Sequence, residues 1–202
     1  MAGRLVAPEE LEGVSTIALL NEMKRRHHLL SRPPAHVAVL GPPCVGKRTV
    51  AEVLRRSYGI CRVSGAELRA AGDDERATTA LLAAIERPQC RRGFVLEGYP
   101  ATAMQAQRLQ ETLEREGKPA LDGVVFLDAP EDALLERCRG RMEDPASGRI
   151  YHAQFKPPAE DGVDDFSGEA LRITAREDAE VKTLKAKFDE DAGPLRALYT
   201  RL

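Results

Sequence analysis

The stretch that decides the fold is HVAVLGPPCVGKRTVAEVL, residues 36–54. Its first five residues form a continuous apolar run, which is typical of a buried strand in a parallel sheet. A glycine-marked turn follows, and the residues after it show helical spacing. Gly41, Gly46 and Lys47 fit the pattern G-x-x-x-x-G-K in the strand–turn–helix context that a phosphate-binding loop requires. The stretch therefore predicts a nucleotide site at the start of a helix.

The residue types in this turn explain the prediction. Small residues let the backbone curl so that successive N–H groups point at phosphate oxygens, while the helix N-terminus and the lysine add positive charge. Arg48 stands where the general motif has Ser or Thr. Its side chain would either add a phosphate contact or obstruct the site, and the sequence leaves both interpretations open. The competing interpretation of the whole turn is a glycine-rich turn with an exposed lysine.

Apolar runs predict four strands, at 36–40, 59–64, 93–98 and 123–130. Helical patterns lie between and after them, at 49–58, 73–87, 102–116, 131–141 and 176–191, and a separate short helix closes the chain. Strands that alternate with helices predict an α/β fold, a parallel sheet with helices on both faces. Ligands of such folds bind at the carboxyl ends of the strands.

The chain is predicted to have an extension, a main domain and an insertion. Residues 1–34 form an N-terminal helical extension, in which apolar residues recur at helical spacing over 9–31. Residues 35–202 form the domain with the phosphate loop. Within it, residues 142–175 are rich in Gly, Pro, Asp and Ser, which predicts an inserted lid of turns and short strands.

Composition excludes several classes of protein. The formal net charge is −2 with mixed signs, which argues against nucleic-acid binding through bulk positive charge. No apolar run approaches membrane-spanning length, so no membrane association is expected. The cysteines lack paired metal-ligand spacing and are interpreted as reduced thiols of a cytoplasmic protein, without disulfides. They are Cys44, Cys61, Cys90 and Cys138.

The loop GPPCVGKRT resembles the G-x-P-G-x-G-K-G-T loop of adenylate kinases and related nucleoside monophosphate kinases. Thr49 matches the family's threonine, whereas Cys44 and Arg48 replace glycines. Four further motifs resemble the family in order and spacing. They are CRVSGAELRAAG, GFVLEGYPATAMQAQRL, LLERCRGRMEDPASGRIYHAQFKPP and AREDAEVKTLKAKF. The resemblance covers the chain from about residue 36 onwards and implies the P-loop fold of this family with its lid.

The resemblance implies that ATP is the phosphoryl donor. The implied ATP-binding residues are Gly41, Pro42, Pro43, Cys44, Val45, Gly46, Lys47, Arg48, Thr49, Arg137, Arg141, Ile150 and Tyr151. The implied catalytic cations are Lys47, Arg141, Arg176 and Lys187, with Arg172 as a rival for the role of Arg176. Thr49 and Glu97 are implied to bind magnesium, largely through water. No zinc is expected, because the ligand-like lid positions are not cysteines: Asp144, Ser147, Asp164 and Ser167.

The resemblance also implies an acceptor site for AMP or another nucleoside monophosphate. The matching residues are Ser64, Gly65, Arg69, Gly98 and Gln105. Ala101 stands where the family has an arginine that grips the acceptor phosphate, and 66–92 is too short for the family's full clamp over the acceptor base. The sequence ends at PLRALYTRL, before the family's last strand. The N-terminal helix or a partner protein would then cover the sheet edge beside the phosphate loop.

Two functions fit these patterns. The first is magnesium-dependent phosphoryl transfer from ATP to a nucleoside monophosphate. The alternative is a catalytically weakened domain that serves as a structural or nucleotide-sensing component of a larger assembly. The loop and the N-terminal helix are also similar to adenylate-kinase domains of cilia and flagella, which would place the alternative in an axoneme.

Overall fold

The computed structural model describes residues 15–200 of the 202-residue chain. Four parallel strands form its main sheet: β1 (Ala35–Leu40), β2 (Cys61–Ser64), β3 (Gly93–Glu97) and β4 (Gly123–Phe126). Their order across the sheet is β2-β3-β1-β4. The prediction of a parallel α/β sheet is confirmed. The register pairs Glu97, at the end of β3, with Val39 of β1 and Ser64 of β2.

Helices connect the strands on both faces. They are α1 (Thr16–Ser31), α2 (Lys47–Tyr58), α3 (Gly65–Ala70), α4 (Asp74–Ile85), α5 (Ala103–Arg115), α6 (Glu131–Arg139) and α7 (Asp178–Thr200). Three of them begin at side-chain caps: Ser15 accepts from the Ala18 amide, Asp73 from the Arg76 amide and Thr102 from the Gln105 amide. Such caps satisfy amides that have no partner inside the helix.

The core follows the alternation of the strands. Leu40 and Leu96 face α4, α5 and the end of α7, where Leu81, Leu109 and Leu195 are fully buried. Val39 and Val95 point to the opposite face and pack with Ala51 of α2. A smaller cluster joins Val45 of the phosphate loop to α6 and α7. The strand ends that carry the candidate site are therefore held by buried apolar contacts on both faces.

A second, separate sheet lies within the segment that was predicted as a lid. It contains β5 (Arg141–Glu143), β6 (Ile150–His152) and β7 (Arg172–Ile173), all antiparallel, in the order β6-β5-β7. Within the described residues these strands pair only with each other and not with the main sheet. The predicted boundaries, 142–175, remain a prediction.

Helix α7 corrects one expectation. The sequence predicted a helix ending at 191 and a separate terminal helix, because Gly193 and Pro194 discourage helix continuation. The structure instead has one helix that runs through Pro194 to Thr200. Leu195, directly after the proline, is fully buried in the main core. Burial of this turn against the sheet offsets the hydrogen bond that proline cannot donate.

The cysteines correct another expectation. The structure pairs Cys44 with Cys138 and Cys61 with Cys90 as disulfides. The partners are 94 and 29 residues apart in sequence. Spacing along the chain therefore carried no signal, because the fold alone brings the phosphate loop to α6 and β2 to the turn before β3.

Helix α1 does not cover the free edge of the sheet. Its side chains Ile17, Met23 and Leu30 are exposed, as is Val125 of the edge strand β4. Part of the predicted helix, residues 9–14, lies outside the described residues. No helix among residues 15–200 has the length and apolar content needed to cross a membrane.

Candidate functional site

The loop 41–46 joins β1 to α2 at the carboxyl end of the sheet. Gly46 precedes the helix at a φ of 102°, in the region that favours glycine. At Gly41 a Cβ atom would lie 2.7 Å from the Leu127 carbonyl oxygen, so only glycine fits against the end of β4. Cys44 takes a φ of 58°, a left-handed conformation that is rare for a residue with a side chain.

Lys47 folds over its own loop. Its Nζ donates to the Gly41 carbonyl at 2.7 Å and to the Pro42 carbonyl at 2.6 Å. Desolvation lowers the pKa of Lys47 to about 8, opposed by the carboxylate of Glu97 and reinforced by Arg69 and Arg176. The ammonium group is thus held by two loop carbonyls. A bound anion carries more negative charge than a carbonyl oxygen and would attract the ammonium group more strongly.

Further charged groups converge on Lys47 from three elements. Arg69 of α3 donates to the Gly98 carbonyl at 2.9 Å. Desolvation, and then the positive charge of Arg176, lowers the pKa of Arg69. Arg176 lies before α7 and pairs with Glu180. Its positive charge acts on both Lys47 and Arg69, so Arg176 lies within electrostatic range of the loop. Its rival Arg172 lies on β7, exposed and opposite Glu143.

Two arginines approach the loop from α6 and the lid. Arg137 donates to the Val45 carbonyl at 3.3 Å, so this side chain lies against the phosphate loop. Arg141 donates to the Thr174 hydroxyl and pairs with Glu143 at 2.7 Å. Arg137 thus contacts the loop directly, whereas Arg141 bonds within the lid, and in this conformation both arginines bond to protein oxygens.

The acceptor side is built on the ends of β2 and β3. At Gly65, a Cβ atom would lie 2.6 Å from the carbonyl oxygens of both Glu97 and Gly98, so the close approach of α3 to β3 requires glycine. Ser64 is half-buried at the end of β2. These residues form the wall opposite the phosphate loop, and Gly98 itself lies beside the Lys47 side chain.

Gln105 organises the turn that follows β3. Its Oε1 accepts from the Ala101 amide at 2.9 Å, and its Nε2 donates to Asp74 at 2.9 Å. Arg108 of α5 also pairs with Asp74, at 3.3 Å. Asp74 therefore links α4 to α5 and, through Gln105, to the turn.

Arg62 is a site residue that sequence reasoning missed. It pairs with Glu97 at 2.6 Å, and both side chains are less than a quarter exposed, 23% and 17%. Alternation along β2 puts Arg62 on the same face as Ser64, toward the end of β3. A charged residue inside an otherwise apolar strand was the available signal.

Three predicted site residues lie apart from the loop. Tyr151 is buried in the lid, where its hydroxyl donates to Asp164 at 2.9 Å, so its ring structures the lid instead of lining a nucleotide site. Lys187 is exposed on α7, and no hydrogen bond or ion pair within residues 15–200 links it to the loop. Ile150 contributes a carbonyl that accepts from Lys156.

The four ligand-like lid positions form a hydrogen-bonded network with Arg149. Arg149 pairs with Asp164 at 2.6 Å and with Asp144 at 3.4 Å. Hydrogen bonding, first from Arg149, holds the pKa of Asp164 far below its usual range. Ser147 and Ser167 each donate to the nearer aspartate. Both aspartates are almost fully buried, so the network joins the two turns of the lid.

A parallel sheet with a phosphate loop at its carboxyl edge, converging cations and a separate lid defines a P-loop nucleotide kinase. A family model described as "Adenylate kinase, active site lid" matches residues 141–178. Adenylate kinase 4 of Oryza sativa subsp. japonica is 34% identical, over 98% of this chain and 90% of the relative. Adenylate kinase 4 of Arabidopsis thaliana is 34% identical over 96% and 88%, and the adenylate kinase of Blochmanniella floridana 31% over 72% and 74%.

The chain belongs to the adenylate kinase family. The predicted family is confirmed, and with it a phosphotransferase role of the nucleoside monophosphate kinase type.

Proposed function

We propose that this protein transfers the terminal phosphoryl group of ATP to AMP in the presence of magnesium. The observation that carries the proposal is the convergence of Lys47, Arg69 and Arg176 between the phosphate loop and the turn after β3. The carboxylate of Glu97 offsets part of the repulsion among these three cations, and a bound anion with more negative charge would offset more of it. Phosphate groups supply such an anion, and Lys47 is already anchored on the loop that would cradle them.

Phosphoryl transfer needs positioning and positive charge more than covalent help from the protein. Lys47 and Arg137 would orient the donor at the loop. Arg69 would hold the acceptor phosphate at the end of β3. Arg141 and Arg176 would lie beside the moving group, where charge develops in the transition state. A lid closed over these groups would exclude water as a competing acceptor.

Magnesium fits the residues at the end of β3. The Oε2 atom of Glu97 pairs with Arg62, while Oε1 makes no hydrogen bond within residues 15–200. Thr49 is exposed on the first turn of α2. A carboxylate and a hydroxyl are oxygen ligands suited to a magnesium ion that keeps several waters. When bound, the ion would neutralise charge on the phosphates.

Turnover tests the proposal directly. ADP formation should depend on ATP, AMP and magnesium together, and Arg141→Ala should lower it markedly. The comparison variant is Arg115→Ala, which changes an exposed arginine on α5 that pairs with its neighbour Glu116. Wild-type protein that binds ATP but forms no ADP with AMP or any other nucleoside monophosphate would overturn the proposal.

The alternative role, a nucleotide-sensing component of a larger assembly, is favoured by one observation. In the turn after β3, Ala101 takes the place at which the family's arginine would bind the acceptor phosphate. The Ala101 amide donates to Gln105. Under this alternative, ATP binds with magnesium and AMP adds nothing to binding or turnover.

We also propose that a partner protein covers the free edge of β4. This strand pairs with β1 alone within the described residues, and Gly123 and Val125 are exposed. An unpaired strand edge offers backbone donors and acceptors to another strand. The amides of 123–126 should then exchange more slowly in the complex, and unchanged exchange would contradict an interface at this edge.

A further inference from the structure

Arg48 of the phosphate loop reaches across to the lid. Its Nη2 donates to the Gly148 carbonyl, and its Nη1 lies 3.5 Å from Oε1 of Glu143. The first turn of α2 is thereby joined to β5 and to the turn that follows it. Arg48 bonds to the lid in this conformation, which neither interpretation of its place in the sequence anticipated.

Glu143 connects Arg48 to an arginine of the candidate site. Its Oε1 faces Arg48 and its Oε2 pairs with Arg141 at 2.7 Å. The three side chains are about equally sheltered, with exposures of 29%, 26% and 28%. Ion pairs that are partly screened from water interact more strongly than fully exposed pairs. One carboxylate thus bridges two cations beside the phosphate loop.

The lid turn is shaped to receive Arg48. Gly148 has a φ of 66°, and a Cβ atom built on it would lie 2.6 Å from Nη2 of Arg48. The Gly148 amide donates to the Asp144 carbonyl at 2.8 Å, and Ser147 is also bound to Asp144. The carbonyl that accepts from Arg48 therefore belongs to a turn fixed by the lid's own network, so a bond to it restrains the lid as a whole.

We propose that Arg48 is a positioning residue that holds the lid to the phosphate loop through Gly148 and Glu143, a contact called the clasp. Glu143 occupies the place that nucleotide phosphates would take beside Arg141. The clasp is a property of the free protein, whereas the exchange of Glu143 for phosphate rests on the proposed function. Because Glu143 has one negative charge and a triphosphate several, ATP would draw Arg141 away from Glu143.

Hydrogen exchange in the free protein tests the clasp. Arg48→Ala should speed exchange of amides in 144–152 about fivefold or more, the effect of losing one charge-assisted hydrogen bond. Arg48→Lys, which keeps one contact, should restore part of the protection. Arg56→Ala is the matched control, because Arg56 lies on the same helix and bonds only within it, to Glu52. In Arg48→Ala, amide exchange in the core strand 93–97 and the melting temperature should stay unchanged.

The replacement of Glu143 by phosphate beside Arg141 is tested by ATP binding. Glu143→Gln should also loosen 144–152, and it should tighten ATP binding several-fold because a negative charge is removed beside Arg141. Glu160→Gln, at an exposed lid position, is the control and should bind ATP as the wild type does. In wild-type protein, ATP should slow amide exchange in 144–152 only slightly, whereas in Arg48→Ala it should slow this exchange strongly.

Two results would overturn the proposal. Unchanged exchange of 144–152 in Arg48→Ala would show that the contact does not restrain the lid. Loss of ATP affinity with unchanged exchange in the free protein would make Arg48 a phosphate ligand instead. Should Arg48→Ala not fold, Arg48→Lys and Glu143→Gln decide by the same measurements. If wild-type protein forms no ADP while lid exchange responds as expected, the clasp stands and the proposed function falls.

Discussion

The proposed donor and acceptor sides of the site differ in the number of cations that bond to the protein there. On the donor side the cations bond to oxygens of the protein itself: Lys47 to loop carbonyls, Arg141 to Glu143 and Arg176 to Glu180. On the acceptor side one cation, Arg69, bonds to the Gly98 carbonyl, and the neighbouring turn offers Ala101. The two sides thus differ in how their positive charge is distributed, and variants of single cations test how far each side depends on one residue.

Lys47 should give the largest effect, because under the proposed function both nucleotides would lie close to it. Lys47→Ala should lower turnover about a hundredfold to a thousandfold, as loss of one well-placed charge in a transition state does. ATP affinity should fall about tenfold or more. Lys118→Ala, which removes a lysine paired with Glu86 far from the loop, serves as the control. Equal ATP affinity by calorimetry would remove Lys47 from the donor side.

A pair of arginine variants separates the two sides. Arg69→Ala should raise the KM for AMP about tenfold and leave the KM for ATP nearly unchanged, because it removes one charge-assisted phosphate contact. Arg137→Ala should raise the KM for ATP and leave the KM for AMP nearly unchanged, since Arg137 lies against the phosphate loop. Steady-state kinetics with each nucleotide varied in turn measures both. If either variant changes both KM values equally, the donor and acceptor sides are not separate.

The acceptor side should improve when its missing arginine is supplied. Ala101→Arg should lower the KM for AMP several-fold through a new fork to the acceptor phosphate. Recovery should be partial, since 66–92 still lacks the family's full clamp. Met104→Arg adds the same charge at an exposed position on α5 and should change little. An unchanged KM in Ala101→Arg would show that Arg69 and the lid arginines already hold the acceptor.

The last expected effect is a pH dependence of ATP binding. The pKa of Lys47 is about 8 in the free protein, and a bound phosphate raises it. Below pH 8 the lysine is charged with or without ATP. Above pH 8 the free protein loses this proton and binding must restore it, so affinity should fall by up to about tenfold per pH unit. Calorimetry from pH 7 to 9.5 measures the slope, and Lys47→Met should abolish it.

Local patterns predicted much of the fold because they depend on residues close in sequence. Continuous apolar runs located β1 to β4 within a few residues, and Gly41, Gly46 and Lys47 located the loop, since each glycine meets a local backbone need. Matched motifs implied roles at the nucleotide site for Arg137 and Arg176; these roles stay predictions, and Arg137 lies against the loop. They failed for Tyr151, because motif position does not report which side of a short strand is buried.

The sequence by itself determined the parallel sheet, the phosphate loop, the lid and the family, because hydrophobic period and loop chemistry act over short distances. The tertiary structure alone decided which distant groups meet. It paired the cysteines, set Arg62 against Glu97 and continued α7 through Pro194. It also carried Arg48 to Gly148, a contact across 100 residues of chain. Such contacts depend on how strands and lid stack in space, and no spacing along the chain encodes them.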